Sequence, residues 1–247
     1  MSLYDRPDPR RLDLRASLRN LQGTWLVRVH RQRASVPVYA IVDVSASMGF
    51  GARKPKLHVA ADFVEALGRS AARIGDAVGM LAFDATERTD LFVPALVSRG
   101  VGAVMASMLR QCETSAQGYK GLEAAVQRIA QRRSLVFIVS DFHWPLEQLA
   151  AVLDLLAHDH VVPMIVWDAV EIEPPVRDAL APLRDAESGA RRTLWVRAKL
   201  RDQWRQAVAQ RRTDLDRLFA AHAIRPFYVS GAFDAEALSQ YFLEEAA

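Results

Sequence analysis

The chain has 247 residues, 51% of them apolar and 25% charged, with a formal net charge of +3. That apolar share fills a sizeable core and excludes a disordered or fibrous chain, while no apolar run reaches the ~18–20 residues of a bilayer-spanning helix. A single cysteine, Cys112, excludes an internal disulfide and a cysteine-based zinc site, and the charged, proline-broken start MSLYDRPDPRR lacks the pattern of a secretory signal, so a cytoplasmic protein is expected. Residues 1–33 carry eight arginines against three aspartates. They read as a basic N-terminal arm with an edge strand, ahead of a single domain over 34–247. Val36–Val42 (VPVYAIV) is a continuous, β-branched apolar run of the kind a strand buried on both faces requires. It ends at Asp43, and a loop of small residues leads into a helical pattern through Ala60, Phe63, Val64, Leu67, Ala71 and Ile74. Ala77–Phe83 is the next strand. Leu91–Leu96 reads as an edge strand because Pro94 cannot donate to a central ladder.

Two helices are expected at Val101–Cys112 and Lys120–Arg132, then a buried strand at Ser134–Val139 that stops just short of Asp141. A helix over Pro145–Ala157 and a strand over Val161–Trp167 continue the alternation. Leu183–Val196 reads as a hairpin turning through Asp185–Gly189. A long basic helix follows over Lys199–His222, with Trp204, Val208, Leu215, Leu218 and Phe219 on its apolar side. Ile224–Val229 is a last strand, and Asp234 an N-cap with Phe233 and Leu238 as a hydrophobic staple. Strand–helix alternation of this kind predicts an α/β fold, doubly wound, with a mostly parallel sheet flanked by helices and a C-terminal hairpin–helix addition.

In such a sheet, ligands bind beyond the carboxyl ends of the strands. Two strands there deliver acids: Asp43, followed by Ser45 and Ser47, and Asp141. Hard oxygens on one loop plus a carboxylate from another strand suit Mg²⁺, with Mn²⁺ as the alternative. The competing reading makes Asp43, Ser45 and Ser47 a turn that caps the next helix, and Asp141 an N-cap for the helix near Pro145.

The D-x-S-x-S of Asp43, Ser45 and Ser47 resembles the metal-ion-dependent adhesion site of a von Willebrand factor A domain. The resemblance implies direct ligation by the two serine hydroxyls, with Asp43 and Asp141 acting largely through water. It also implies a threonine ligand from a second loop. The usual Gly-Gly-Thr-Asp is replaced here by Cys112-Glu113-Thr114-Ser115-Ala116-Gln117-Gly118, so Thr114 is the candidate and Ser115 the alternative. The start YDRPDPRRLDLRAS, the PLRDAESG stretch and the closing strand–helix resemble bacterial proteins encoded beside MoxR-type AAA+ ATPases, the MxaS-like proteins among them. That resemblance covers essentially the whole chain. It implies a non-catalytic assembly or maturation factor acting with such an ATPase, binding a partner's acidic side chain through the ion.

Two rival functions differ in class. The arginine arm suits nucleic acid, and such binding is steeply salt-dependent. A metal-dependent hydrolase would need a general base near the ion, for which His143 is the candidate. A phosphatase of the haloacid-dehalogenase type needs an acid where Ser45 stands, which argues against it. Asp84, after the second strand, reads as a turn residue.

Overall fold

The computed structural model describes residues 36–114, 118–130, 133–175, 178–184 and 191–245, so the basic arm over 1–33 lies outside the described residues. The first strand, β1 (Val38–Asp43), is buried along its whole length. Its side chains alternate between two cores: Val38, Ala40 and Val42 enter one, Tyr39 and Ile41 the other. That is the period of two that a pleated strand imposes, and it explains why the run needs to be apolar at every position.

A 3-10 turn (Ala46–Gly49) follows, then α1 (Lys56–Ile74), β2 (Val78–Phe83) and β3 (Val93–Leu96). Next come α2 (Val101–Gln111), α3 (Gly121–Ile129), β4 (Leu135–Ser140), α4 (Leu149–Leu155), β5 (His160–Trp167) and the short α5 (Ala169–Ile172). The chain closes through β6 (Ala179–Arg184), β7 (Arg191–Val196), α6 (Ala198–Ala221), β8 (Phe227–Ser230) and α7 (Ala235–Glu245).

The main sheet runs in the order β3-β2-β1-β4-β5-β8, and β3 alone is antiparallel to its neighbour. Pro94 therefore sits on an edge strand. Pro163 lies inside β5 but just outside the ladder with β8, which begins at Met164. Its missing N–H costs no bond on that side. Helices α1, α2 and α7 cover one face through residues such as Phe63, Met105 and Tyr241. Helices α3, α4 and α6 cover the other through Val126, Val152 and Phe219. Burying side chains of this size stabilises the fold by about 1.5–3 kcal/mol each. The doubly wound, mostly parallel α/β architecture expected from the alternation is the one observed.

Some boundaries differ. Helix α4 begins at Leu149 rather than Pro145, because residues 141–144 are held in an irregular loop by contacts described below. The hairpin is β6 paired with β7, and its first strand reaches back to Ala179. Pro182 is tolerated there because a two-stranded ribbon is edge on both sides. The turn over 185–190 lies outside the described residues. Asp234 accepts bonds from the N–H groups of Glu236 and Ala237, as a helix cap does.

Candidate metal site

All the parallel strands end at one edge, and the sheet order reverses between β1 and β4. This is the topological switch point where an α/β sheet opens a crevice. The β1–β4 register pairs Val42 with Val139, which brings Asp43 level with Ser140 and Asp141 just beyond the strand end. Asp43 is fully buried. Its Oδ1 accepts from the Ser45 N–H at 2.9 Å, and its Oδ2 accepts from the Ser140 hydroxyl at 2.6 Å and the Trp144 indole at 3.3 Å. Burial first, and then the charge of Asp141, push the Asp43 carboxyl up from 3.8 to about 6.

Ser45 stands before the 3-10 turn without capping it with its side chain. Its hydroxyl lies 3.3 Å from that of Ser47. The Asp43 side chain closes the turn by an Asx-type bond to the Ser45 N–H, and the Ser45 hydroxyl pairs with Ser47 and caps no helix. Thr114 approaches from the second loop, where its Oγ1 occupies the space that a Cβ on Gly49 would need. Only a glycine at the end of the 3-10 turn lets that hydroxyl come so close. Among the described residues, Thr114 is the second-loop hydroxyl placed against the D-x-S-x-S turn; Ser115 lies outside them.

Asp141 is fully buried as well. Its Oδ1 accepts from the His143 N–H at 3.1 Å, and its Oδ2 takes the Lys56 ammonium at 2.7 Å. It caps no helix, since α4 starts well downstream. Burial alone would raise its pKa, but Lys56 and His143 hold it below the ordinary carboxylate range. The loop that carries it is forced into shape from several sides. Phe142 adopts φ +50°, an unfavourable region for an aromatic residue, and its N–H donates to Ser140 Oγ at 2.9 Å. The Trp167 indole donates to the Asp141 carbonyl at 2.9 Å, and Arg211 donates to the carbonyls of Phe142 and Trp144. Held by these bonds, the strained backbone presents Asp141 at the end of β4.

Sequence reasoning missed Lys56, Ser140, Trp144 and Glu171. Lys56 looks like an ordinary first residue of an amphipathic helix, yet its side chain is only 2% exposed and also reaches Glu171 Oε1 at 2.6 Å. Charge from Asp141 and Glu171 overcomes burial and raises its pKa. Glu171 did leave a signal. Asp168 and Glu171 have the D-x-x-E spacing of a capping box, which the structure forms, at the end of a third apolar strand. Asp168 Oδ2 additionally accepts from the Ala52 N–H at 3.0 Å, tying α5 to the D-x-S-x-S loop. A cleft of about 380 Å³ borders the site, lined by His143, Trp167, Glu171, Trp204, Val208 and Arg211. Asp84 is a buried turn residue that accepts from Thr86 N–H at 3.0 Å and pairs with Arg88 at 3.2 Å.

Two buried acids at neighbouring strand ends, with the Ser45 and Ser47 hydroxyls on the intervening turn and Thr114 packed against Gly49, are hard-oxygen groups of the kind that Mg²⁺ or Mn²⁺ takes. Fold and site together define an α/β protein with a polar, oxygen-rich edge at its switch point. The family described as "Protein of unknown function DUF58" matches residues 6–214, and the chain belongs to that family.

Among its relatives is "Uncharacterized protein Mb1516" of Mycobacterium bovis, 30% identical over 221 residues; the match covers 85% of this chain and 66% of the relative's length. A second relative, from Paracoccus denitrificans, is named "Uncharacterized protein in moxR 3'region". It is 32% identical over 101 residues, covering 41% of this chain and 96% of the relative. Among solved structures, the conserved hypothetical protein BatB from Bacteroides thetaiotaomicron shares the fold at 16% identity and TM-score 0.50, covering 85% of this chain and 98% of that one. The SpRpn10 VWA domain aligns at 9% identity and TM-score 0.43, over 83% of this chain and 94% of that one. Among the described residues no helix is long and apolar enough to cross a membrane.

Proposed function

We propose that this protein is a non-catalytic, divalent-cation-dependent protein-binding module. In this reading Ser45, Ser47 and Thr114 hold Mg²⁺ (or Mn²⁺) directly, and Asp43 and Asp141 support it through water. The observation that carries the reading is the convergence of a buried Asp43, a buried Asp141 and the paired Ser45 and Ser47 hydroxyls at one strand edge. Three neutral hydroxyls leave most of the ion's charge uncompensated at the surface, so an Asp or Glu of a partner is the natural remaining ligand. The partner we infer is a MoxR-type AAA+ ATPase or its client, and the role is accessory to assembly or maturation of an enzyme complex. The moxR-adjacent relative supports that partner.

Calorimetric titration of the full chain with Mg²⁺ and Mn²⁺, beside an Asp43→Ala/Ser45→Ala variant, tests the site. One-site binding that the variant loses is expected, and equal heats from the two chains would overturn the reading. Retention of a MoxR-type ATPase in Mg²⁺ but not in EDTA tests the partner. Retention indifferent to EDTA and to Asp43→Ala removes the ion from the interaction.

A further inference from the structure

Lysine is an awkward residue for the start of a helix. The first turn of α1 carries the positive end of the helix dipole, where anions are favoured and cations are not. Lys56 occupies that place, with no acidic residue in the turn to offset it. Its ammonium is nevertheless almost wholly enclosed, lying between Asp141 Oδ2 at 2.7 Å and Glu171 Oε1 at 2.6 Å. The Phe50 ring lies 5.9 Å from the ammonium, and the His143 imidazole stands beside Glu171, with Nε2 3.8 Å from the same Glu171 oxygen. One ligand atom from each of Asp141, His143 and Glu171 falls within 4.8 Å of the others, a separation that one metal ion can bridge. Two carboxylates and an imidazole are a donor set that borderline divalent ions such as Co²⁺ and Zn²⁺ take readily.

We propose that the Lys56 ammonium is a tethered cation filling a second divalent-ion position, formed by Asp141, His143 and Glu171. Both carboxylate charges face the lysine, and the fully buried Asp141 charge is costly without a cation beside it. Replacing the ammonium with a metal needs the oxygens to close by only about half an ångström, from hydrogen-bond to coordination distance. While Lys56 is present, Asp141 Oδ2 is committed to it, so Asp141 addresses an ion at the serine turn through Oδ1 or through water. The lysine thus keeps a divalent ion out of the position between Asp141 and Glu171. The proposal stands whether or not Mg²⁺ binds at Ser45 and Ser47.

The test is removal of the tethered charge from the full chain by Lys56→Ala, with Co²⁺ as probe. Melting temperature and visible absorption are read in EDTA and in Co²⁺. Lys56→Ala is expected to melt below the parent in EDTA, then to regain about 5–10 °C when Co²⁺ exceeds its dissociation constant a hundredfold. A d–d absorption band should accompany the gain. The gain over the parent's own response should vanish in Lys56→Ala/His143→Ala and not appear in Lys56→Arg, which keeps the charge. A Co²⁺ response equal in parent and Lys56→Ala overturns the proposal, as does one that survives loss of His143. Should Lys56→Ala fail to fold in EDTA, recovery of folded protein by Co²⁺ supports the proposal, and a chain folded in neither condition overturns it.

Discussion

Asp43 sets a pH dependence whose direction can be worked out from its surroundings. Its carboxyl is lifted from 3.8 to about 6 by burial and by the neighbouring Asp141 charge. Between those two values the folded chain keeps a proton that the unfolded chain has released. Stability must then fall as pH rises through this window, because the folded state binds the extra proton. At ~1.4 kcal/mol per unit, Asp43 alone should cost the ion-free protein about 2–3 kcal/mol on going from about pH 4 to about pH 7.

Asp141 and Glu171 act with the opposite sign. Lys56 and His143 hold both below their ordinary values against the effect of burial. Their stabilising contribution is fully present above their ordinary values of 3.8 and 4.5 and is lost as pH falls from there through their depressed folded values. Only the upper end of the Glu171 transition overlaps the Asp43 window. Urea denaturation in EDTA across this range, on the parent and on Asp43→Asn, isolates the Asp43 effect. The parent's midpoint should drop with rising pH by about 1 M more than the variant's. A cation at the site favours the ionised carboxylate, so saturating Mg²⁺ should flatten the parent's slope. Parallel profiles for the parent and the Asp43→Asn variant in EDTA would refute the reasoning, since Asp43 would then titrate alike in both states.

Gly49→Ala drives a methyl group into Thr114 Oγ1 and to 3.2 Å from its Cβ. The turn and the second loop must separate, at a cost of about 1–3 kcal/mol in urea melts, together with weakened Mg²⁺ binding by calorimetry. Thr114→Ala in the same chain should restore most of the stability but not the ion affinity; affinity returning with stability would remove Thr114 from the ligand set. Trp144→Phe deletes the indole donor shared by Asp43 Oδ2 and Ser140 Oγ. A loss of about 1–3 kcal/mol is expected, larger above pH 6 than below it because the ionised acceptor misses the donor more. An equal loss at both pH values would show that only packing was removed.

Much of the scaffold was legible in the residues. VPVYAIV reads as a doubly buried strand because every position is apolar and branched residues prevail, and Pro94 reads as an edge for want of an N–H. The acidic strand ends could be placed at the ligand-binding edge because parallel strands must all finish on the same side. Limits appeared wherever a local pattern had two uses. Pro145 onward carries helical periodicity, but the bonds from Arg211 and Trp167 to the preceding loop delay the helix to Leu149. Asp168 and Glu171 had a readable cap spacing, yet nothing in the spacing shows that Glu171 turns towards Lys56.

By itself, then, the sequence determined the alternation of elements, the buried strands and the D-x-S-x-S loop with Asp141 as its distant companion. Hydrophobic period and short-range turn chemistry act between neighbouring residues, so they can be read along the chain. Only the tertiary structure decided which groups surround the two acids. Ser140 and Trp144 on Asp43, Lys56 and His143 on Asp141, Thr114 against Gly49 and Arg211 on the Asp141 loop come mostly from segments far apart in the chain. Their meeting depends on strand order and register. Buried charge must find its partners wherever the fold places them, and no spacing along the chain encodes that.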